Sequence, residues 1–221
     1  MSKAGLVLLD CWVSPFCMRV KIALNEKGLQ YEARPEDLFG GKSDLLLNSN
    51  PIYKKVPVFL HDGKPLCESS IIVAYIDETW SSPPLLPSCS YARAQARFWA
   101  DYIDKKVVFD ACGNIWRSKG EVPVEAKTEF IEILKQLEGA LGDKEYFNGD
   151  TFGFVDIVAI PLTCWFFALE KIGGFSVAAE CPKFSSWMKR CLQRESVAKV
   201  MPDPEKVYEF VLMFRKMQGI D

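Results

Sequence analysis

Within one short stretch, Cys11-Trp12-Val13-Ser14-Pro15-Phe16-Cys17-Met18-Arg19, stand a hydroxyl, two thiols and a cation. Ser14 has the side chain an N-cap needs, and Pro15 suits the first helical position, where a missing N–H is no loss. The unpaired N–H groups and dipole of a helix start favour an anion there, whether phosphate, carboxylate or thiolate. On the local pattern alone, Ser-Pro is as well explained by capping. Cys17 lies one turn further on. A helix N-terminus lowers a thiol pKa, but at that depth a cysteine is equally a small buried hydrophobe. His61 is the only histidine, so a Ser-His-Asp triad or a His-rich metal site has almost nothing to draw on. Neither GxSxG, a Walker A loop nor GxGxxG is present. These gaps point to chemistry borrowed from a co-substrate.

The elements that would hold these groups follow from periodicity. Leu6-Val7-Leu8-Leu9 has the length of a buried strand, and Phe16, Val20, Ala23 and Leu24 recur at helical spacing up to a stop at Gly28. On that pattern Arg19, Lys21, Asn25 and Glu26 lie off the apolar face. Residues 30–34 alternate as a half-exposed strand, and a short helical piece around Leu45-Leu46-Leu47 ends at Asn50-Pro51. Val56-Pro57-Val58-Phe59-Leu60-His61 reads as a strand entered through a proline, a position that a cis bond would suit. Asp62-Gly63 is a hairpin turn into Pro65-Leu66-Cys67, and Glu68-Ser69 opens a helix that closes near Trp80. Strand, helix, strand, helix, hairpin and helix predict a mixed four-stranded sheet with helices on its faces, over residues 1–81. Residues 82–89, rich in proline, read as a linker. Residues 90–221 carry only helical patterns, about 90–118, 123–142, 154–172, 184–191, 196–200 and 204–217, with Asp156 in the first turn of the third.

The composition sets outer bounds. With 221 residues, 49% hydrophobic and 25% charged, the chain can bury two small cores. A net charge of -2 gives no electrostatic case for nucleic acid or an anionic membrane. The longest apolar run, residues 157–169, contains Pro161 and is too short to span a bilayer. Eight scattered cysteines without a CxxC pair or a leader pattern are expected as reduced thiols in a cytoplasmic protein.

Ser-Pro-Phe-Cys at the first helix, Lys55-Val56-Pro57-Val58 and Glu68-Ser69 together resemble the cytosolic glutathione transferases. Tyr75-Ile76-Asp77-Glu78, Tyr102-Ile103-Asp104-Lys105-Lys106, Ile115-Trp116, Cys164-Trp165-Phe166 and Ala179-Glu180-Cys181-Pro182-Lys183 extend the resemblance over the chain, in the phrasing of the plant tau class. It implies a thioredoxin-like domain with a cis Pro57, a helical-bundle domain with the hydrophobic acceptor site, and a homodimer. The dimer contacts could include Asp77 or Glu78 opposite Arg93 or Arg97 of a partner.

By the same resemblance, Ser14 would donate its hydroxyl to the sulfur of glutathione, the co-substrate, with no metal involved. Glu68 and Ser69 would hold the γ-glutamyl end, the Val56 backbone would pair with the cysteinyl amide, and Lys42 and Lys55 would sit near the glycyl carboxylate. The thiolate would attack small hydrophobic electrophiles or reduce organic hydroperoxides. Phe16, Phe109, Gly113, Trp116, Trp165 and Phe210 would line the acceptor site, although each aromatic is also an ordinary core residue on pattern alone. The chain departs from the tau pattern, which usually has a tyrosine where Phe109 stands and an arginine near Gly113. Two polar groups lost there predict bulkier, less polar acceptors. A carrier of apolar metabolites and a Cys17-based thiol transferase are the alternatives.

Overall fold

The computed structural model describes residues 5–37 and 39–220, apart from the side chains of residues 108–110. Two compact units meet in the chain between Leu86 and Pro87. The first contains β1 (Leu6–Asp10), α1 (Pro15–Glu26), β2 (Glu32–Pro35), α2 (Asp44–Ser49), β3 (Val58–His61), β4 (Lys64–Cys67) and α3 (Ser69–Thr79). The sheet order is β2-β1-β3-β4, with β2 parallel to β1 and the other two pairings antiparallel. This is the mixed sheet of a thioredoxin-like domain. Strand parity divides the core. Leu9, Val58 and Leu60 form one face with Leu46 of α2, while Leu8 and Phe59, a cross-strand pair of opposite parity, are fully buried on the other.

Helix α1 ends as its sequence predicts. Gly28 takes φ 64°, a left-handed conformation open to glycine at little cost, and its N–H donates to Asn25. The Val56–Pro57 peptide is cis, as is Ser82–Pro83. Asp77 differs from its expected place on a partner-facing surface. Its carboxylate is buried within the first unit, where it accepts the N–H groups of Leu85 and Leu86 at 2.8 and 2.9 Å and the Lys27 ammonium at 2.6 Å. The proline-rich strand of the connector is thereby fastened to α1 and α3.

The second unit is all helical: α4 (Ser90–Tyr102), a π-type segment (Ile103–Cys112), α5 (Gly113–Trp116), α6 (Val124–Leu141), α7 (Phe154–Ala159), a 3₁₀ segment (Ile160–Trp165), α8 (Phe166–Gly173), α9 (Val177–Glu180), α10 (Pro182–Leu192), α11 (Glu195–Ala198) and α12 (Pro204–Met217). Two expected continuous helices are interrupted. The helix over 90–118 widens into π-type turns, and the one over 154–172 tightens to 3₁₀ where Pro161 supplies no N–H. Asp156 does more than meet a helix dipole. Fully buried, it accepts from Phe147 N–H (3.1 Å), Gly153 N–H (3.0 Å) and Trp187 Nε1–H (2.8 Å), joining α7 to α10 and the preceding turn. Burial pushes its carboxyl up to about 6 against the opposing pull of these donors.

Candidate active site at one end of the sheet

Strand register determines which expected site residues can meet. Leu9 of β1 pairs with Val58 of β3, and Val58 pairs with Cys67 of β4. The chain therefore leaves β1 toward Ser14, enters β3 from Lys55-Val56-Pro57, and leaves β4 toward Glu68-Ser69, all at the same end. Asp10 pairs with Pro35 at the end of β2, so the loop carrying Lys42 issues from that end too. Ser14, Lys55, Val56, Glu68 and Ser69 thus follow or precede strands at one end of the sheet, and the loop that carries Lys42 leaves from the same end.

Ser14 is the N-cap of α1. Its N–H donates to Cys11 C=O (3.0 Å), its C=O accepts from Met18, and its Oγ accepts a long 3.4 Å bond from Cys17 N–H. An oxygen so engaged as an acceptor keeps its own proton to offer an incoming anion. Cys17 is a different matter. It is fully buried, its thiol lies against the Ser14 hydroxyl, and burial holds its pKa far above the ordinary thiol value. It stays protonated. Phe16 is half-buried in the first turn of α1, with the Arg19 guanidinium 5.0 Å from its ring centroid.

Arg19 corrects the sequence reading, which put it off the apolar face. It is fully buried, and Nη1 donates to Ser69 Oγ at 3.1 Å. The signal was available, since Arg19 is three residues from Phe16 and four from Ala23 and so shares their stripe. This bond ties the second turn of α1 to the first residue of α3. Ser69, itself buried, accepts from Arg19 through Oγ, an oxygen that also carries a proton of its own. Glu68 before it is exposed, makes no side-chain cap bond and adopts φ 69°, a left-handed strain that a non-glycine residue takes only when its surroundings impose it. Val56 stands two residues before the ladder of β3 begins, leaving its backbone outside the strand pairing. Lys42 and Lys55 are exposed at the rim, and the Lys55 carbonyl accepts from Asn50 Nδ2 at 3.0 Å.

The aromatics of the second unit separate into two groups. Phe130, Phe166, Phe184 and Trp187 are buried and pack on one another. Trp116, Trp165, Phe210 and Phe214 are only half-buried, with Trp116–Trp165 at 6.4 Å, Trp165–Phe210 at 6.2 Å, Trp116–Phe214 at 5.3 Å and Phe210–Phe214 at 6.0 Å. The second group is an aromatic wall left partly open. The Phe109 side chain lies outside the described residues. Gly113 is buried, and beside it stands a residue that sequence reasoning passed over. The Arg117 guanidinium folds back along α5, lies 4.5 Å from the Trp116 ring centroid, and would meet a Cβ on Gly113 at 2.7 Å. Arg215 of α12 holds that turn, donating to Trp116 C=O at 2.6 Å and Ser118 C=O at 3.2 Å. A cation one turn further on thus stands beside Gly113.

Comparisons with known proteins bear on both units. The family model for the glutathione S-transferase N-terminal domain matches residues 4–78, and that for the C-terminal domain matches residues 97–195. The probable glutathione S-transferase parC of Nicotiana tabacum is 56% identical over 223 residues, covering 100% of both chains. Glutathione S-transferase U19 of Arabidopsis thaliana is 58% identical over 212 residues, covering 96% of each. Rice GST1, solved in complex with glutathione, has a TM-score of 0.93 and 48% identity over 98% of this chain and 99% of its own. A tau-class enzyme from mango has a TM-score of 0.89 and 41% identity over 96% of this chain and 99% of its own. With a serine capping the first helix, a cis-proline entry to β3 and whole-length likeness to plant enzymes, the chain belongs to the glutathione S-transferase family, in its tau class.

Proposed function

We propose that Ser14 stabilises the thiolate of glutathione for conjugation to hydrophobic electrophiles, with glutathione held at the end of the sheet where β1 and β4 finish and β3 begins. The observation that carries this reading is the register that sets Ser14, Val56 and Glu68-Ser69 at one end of the sheet. The residue types fit the ligand. Glutathione carries two carboxylates and one ammonium; the α3 N-terminus with Ser69, and the rim cations Lys42 and Lys55, suit the former, and the exposed Glu68 carboxylate suits the latter.

Glutathione supplies the nucleophile, and the chain's task is to favour its ionised form. A thiol of pKa about 8.5 is only about 3% ionised at neutral pH, and a shift of about two units, or about 2.7 kcal/mol, brings it to about three quarters. One hydrogen bond to a charged group is worth about 1.5–3 kcal/mol, within reach of the Ser14 hydroxyl and the α1 terminus together. Ser14 acts as a donor and keeps its proton; it is not a base. The half-open wall of Trp116, Trp165 and Phe210, with Phe109 and Gly113 of the same unit, is assigned to the acceptor. A thiolate held this way would also reduce organic hydroperoxides.

The test is the rate of conjugation to chlorodinitrobenzene by wild type and Ser14→Ala. The variant should lose about 100-fold in kcat/KM, in keeping with removal of a donor to developing or resident negative charge. The loss should shrink as pH is raised and glutathione ionises unaided. An undiminished rate in the variant would end the Ser14 assignment, and wild type that binds the acceptor tightly without turnover would favour a carrier. Cytoplasmic residence is in keeping with eight free thiols. A homodimer is in keeping with the exposed Ile52, Tyr53 and Ile71 of the first unit, and with Tyr91 and Phe98 of the second. No helix among the described residues is long and apolar enough to cross a membrane.

A further inference from the structure

We propose that Arg117 is the specificity cation of the acceptor site and that it selects flat aromatic electrophiles bearing a carboxylate. The inference deepens the function proposed above and rests on Trp116 belonging to the acceptor wall.

Four observations converge on this side chain. Its guanidinium lies over the Trp116 ring at 4.5 Å, where an arginine is less hydrated than in bulk water and keeps its in-plane donors for an anion. Among the described residues it has no carboxylate partner; Glu129, a neighbouring carboxylate, accepts from Asn114 Nδ2 at 3.3 Å instead. The fold makes room for it, because Gly113 lacks the Cβ that would stand 2.7 Å from Nη1. Its backbone is fixed from both sides, since Arg215 binds the carbonyls of Trp116 and Ser118 and Trp116 packs on Phe214 at 5.3 Å. Arg117 is exposed, so a carboxylate reaches its guanidinium without displacing a protein partner. A ring stacked along the half-open wall of Trp116, Trp165 and Phe210 would bring a ring carboxylate to the guanidinium, whose forked donors match its two oxygens. The expectation drawn from Phe109 and the Gly113 region, a preference for bulkier, less polar acceptors, is thereby reversed for this one class.

The experiment compares two acceptors that differ by one group, chlorodinitrobenzene and chlorodinitrobenzoate, under the same glutathione concentration and with full-length protein. The quantity read is the ratio of the two kcat/KM values, which cancels any difference in active fraction between preparations. Arg117→Ala should lower the benzoate-to-benzene ratio about five- to tenfold, between an exposed ion pair and a shielded bidentate one. Arg117→Lys should recover part of it. Gly113→Ala, whose new methyl displaces only the flexible end of Arg117, should lower the ratio in the same direction. In wild type the ratio should fall with added salt. An unchanged ratio in Arg117→Ala, while Trp116→Ala alters the kinetics of both acceptors, overturns the role of Arg117 and leaves the acceptor wall standing. Unchanged kinetics for both acceptors in Trp116→Ala removes the wall itself, and the proposal with it. A Ser14→Ala variant that retains full activity would fault the thiolate assignment alone.

Discussion

Burial sets the chemistry of Cys17. Its sulfur is shut away beside the Ser14 hydroxyl, and the neutral form is strongly favoured. Glutathione disulfide should therefore leave no mixed disulfide at Cys17 under native conditions, as mass spectrometry of the intact protein would read; a trapped adduct would revive the thiol-transferase alternative. Asp156 offers a second test. Replacing it with Asn puts an NH₂ group where a carboxylate oxygen accepts, so at least one of Phe147 N–H, Trp187 Nε1–H or Gly153 N–H faces a donor. A loss of about 2–4 kcal/mol is expected, or a Tm fall of roughly 5–12 °C for a chain of this size. The pH dependence has a definite sign. A carboxyl raised from 3.8 to about 6 by burial contributes stability below its unfolded value and loses it as pH rises through its folded one. The advantage of wild type over Asp156→Asn should narrow between those two values; a widening gap would contradict it. Such single-residue roles were unevenly legible. Ser14 announced itself through Pro15 and the helix behind it, whereas Arg117 depends on a missing Cβ four residues earlier, and Asp156 on a tryptophan 31 positions away. No local pattern encodes those distances.

Among the elements, the strands and α1 were readable because each obeys one periodicity and is closed by its own punctuation, as Asp62-Gly63 and Gly28 show. The second unit resisted where a helix changes its winding. The π-type turns of Ile103–Cys112 contain neither glycine nor proline to mark them, and the 3₁₀ turns of Ile160–Trp165 are apolar but for Thr163, so a helical reading runs through both. Short α9 was likewise missed, since four residues cannot show a period. Asp77 links α3, α1 and the connector, and Lys27 opposite it has no exposed side-chain surface. Asp77→Ala should destabilise the protein by about 3–5 kcal/mol by leaving a buried ammonium with the Pro83 carbonyl but no counter-charge and two N–H groups with no acceptor, measurable by urea unfolding of the full chain. A change below about 1 kcal/mol would mean that the strap contributes little.

For the molecule as a whole, the two units differ in construction. The first is specified by strand register, the second by helix faces. A slip in register would move several of the connections that carry the proposed glutathione site at once, whereas the proposed acceptor residues can change one side chain at a time. Sedimentation of the purified protein should show a species of twice the 25.0 kDa chain mass, and a monomer at working concentration would remove the proposed homodimer.

The fastening of Leu85 and Leu86 to Asp77 carries a consequence for recombining relatives. A crossover placed in the proline-rich stretch, where composition alone suggests a hinge, would exchange a strap for one shaped to another parent's α3. A seam after Leu86 keeps lock and bolt from the same ancestor. Chimeras joined there should express and melt as their parents do, whereas those joined at residue 81 should inherit the mismatch.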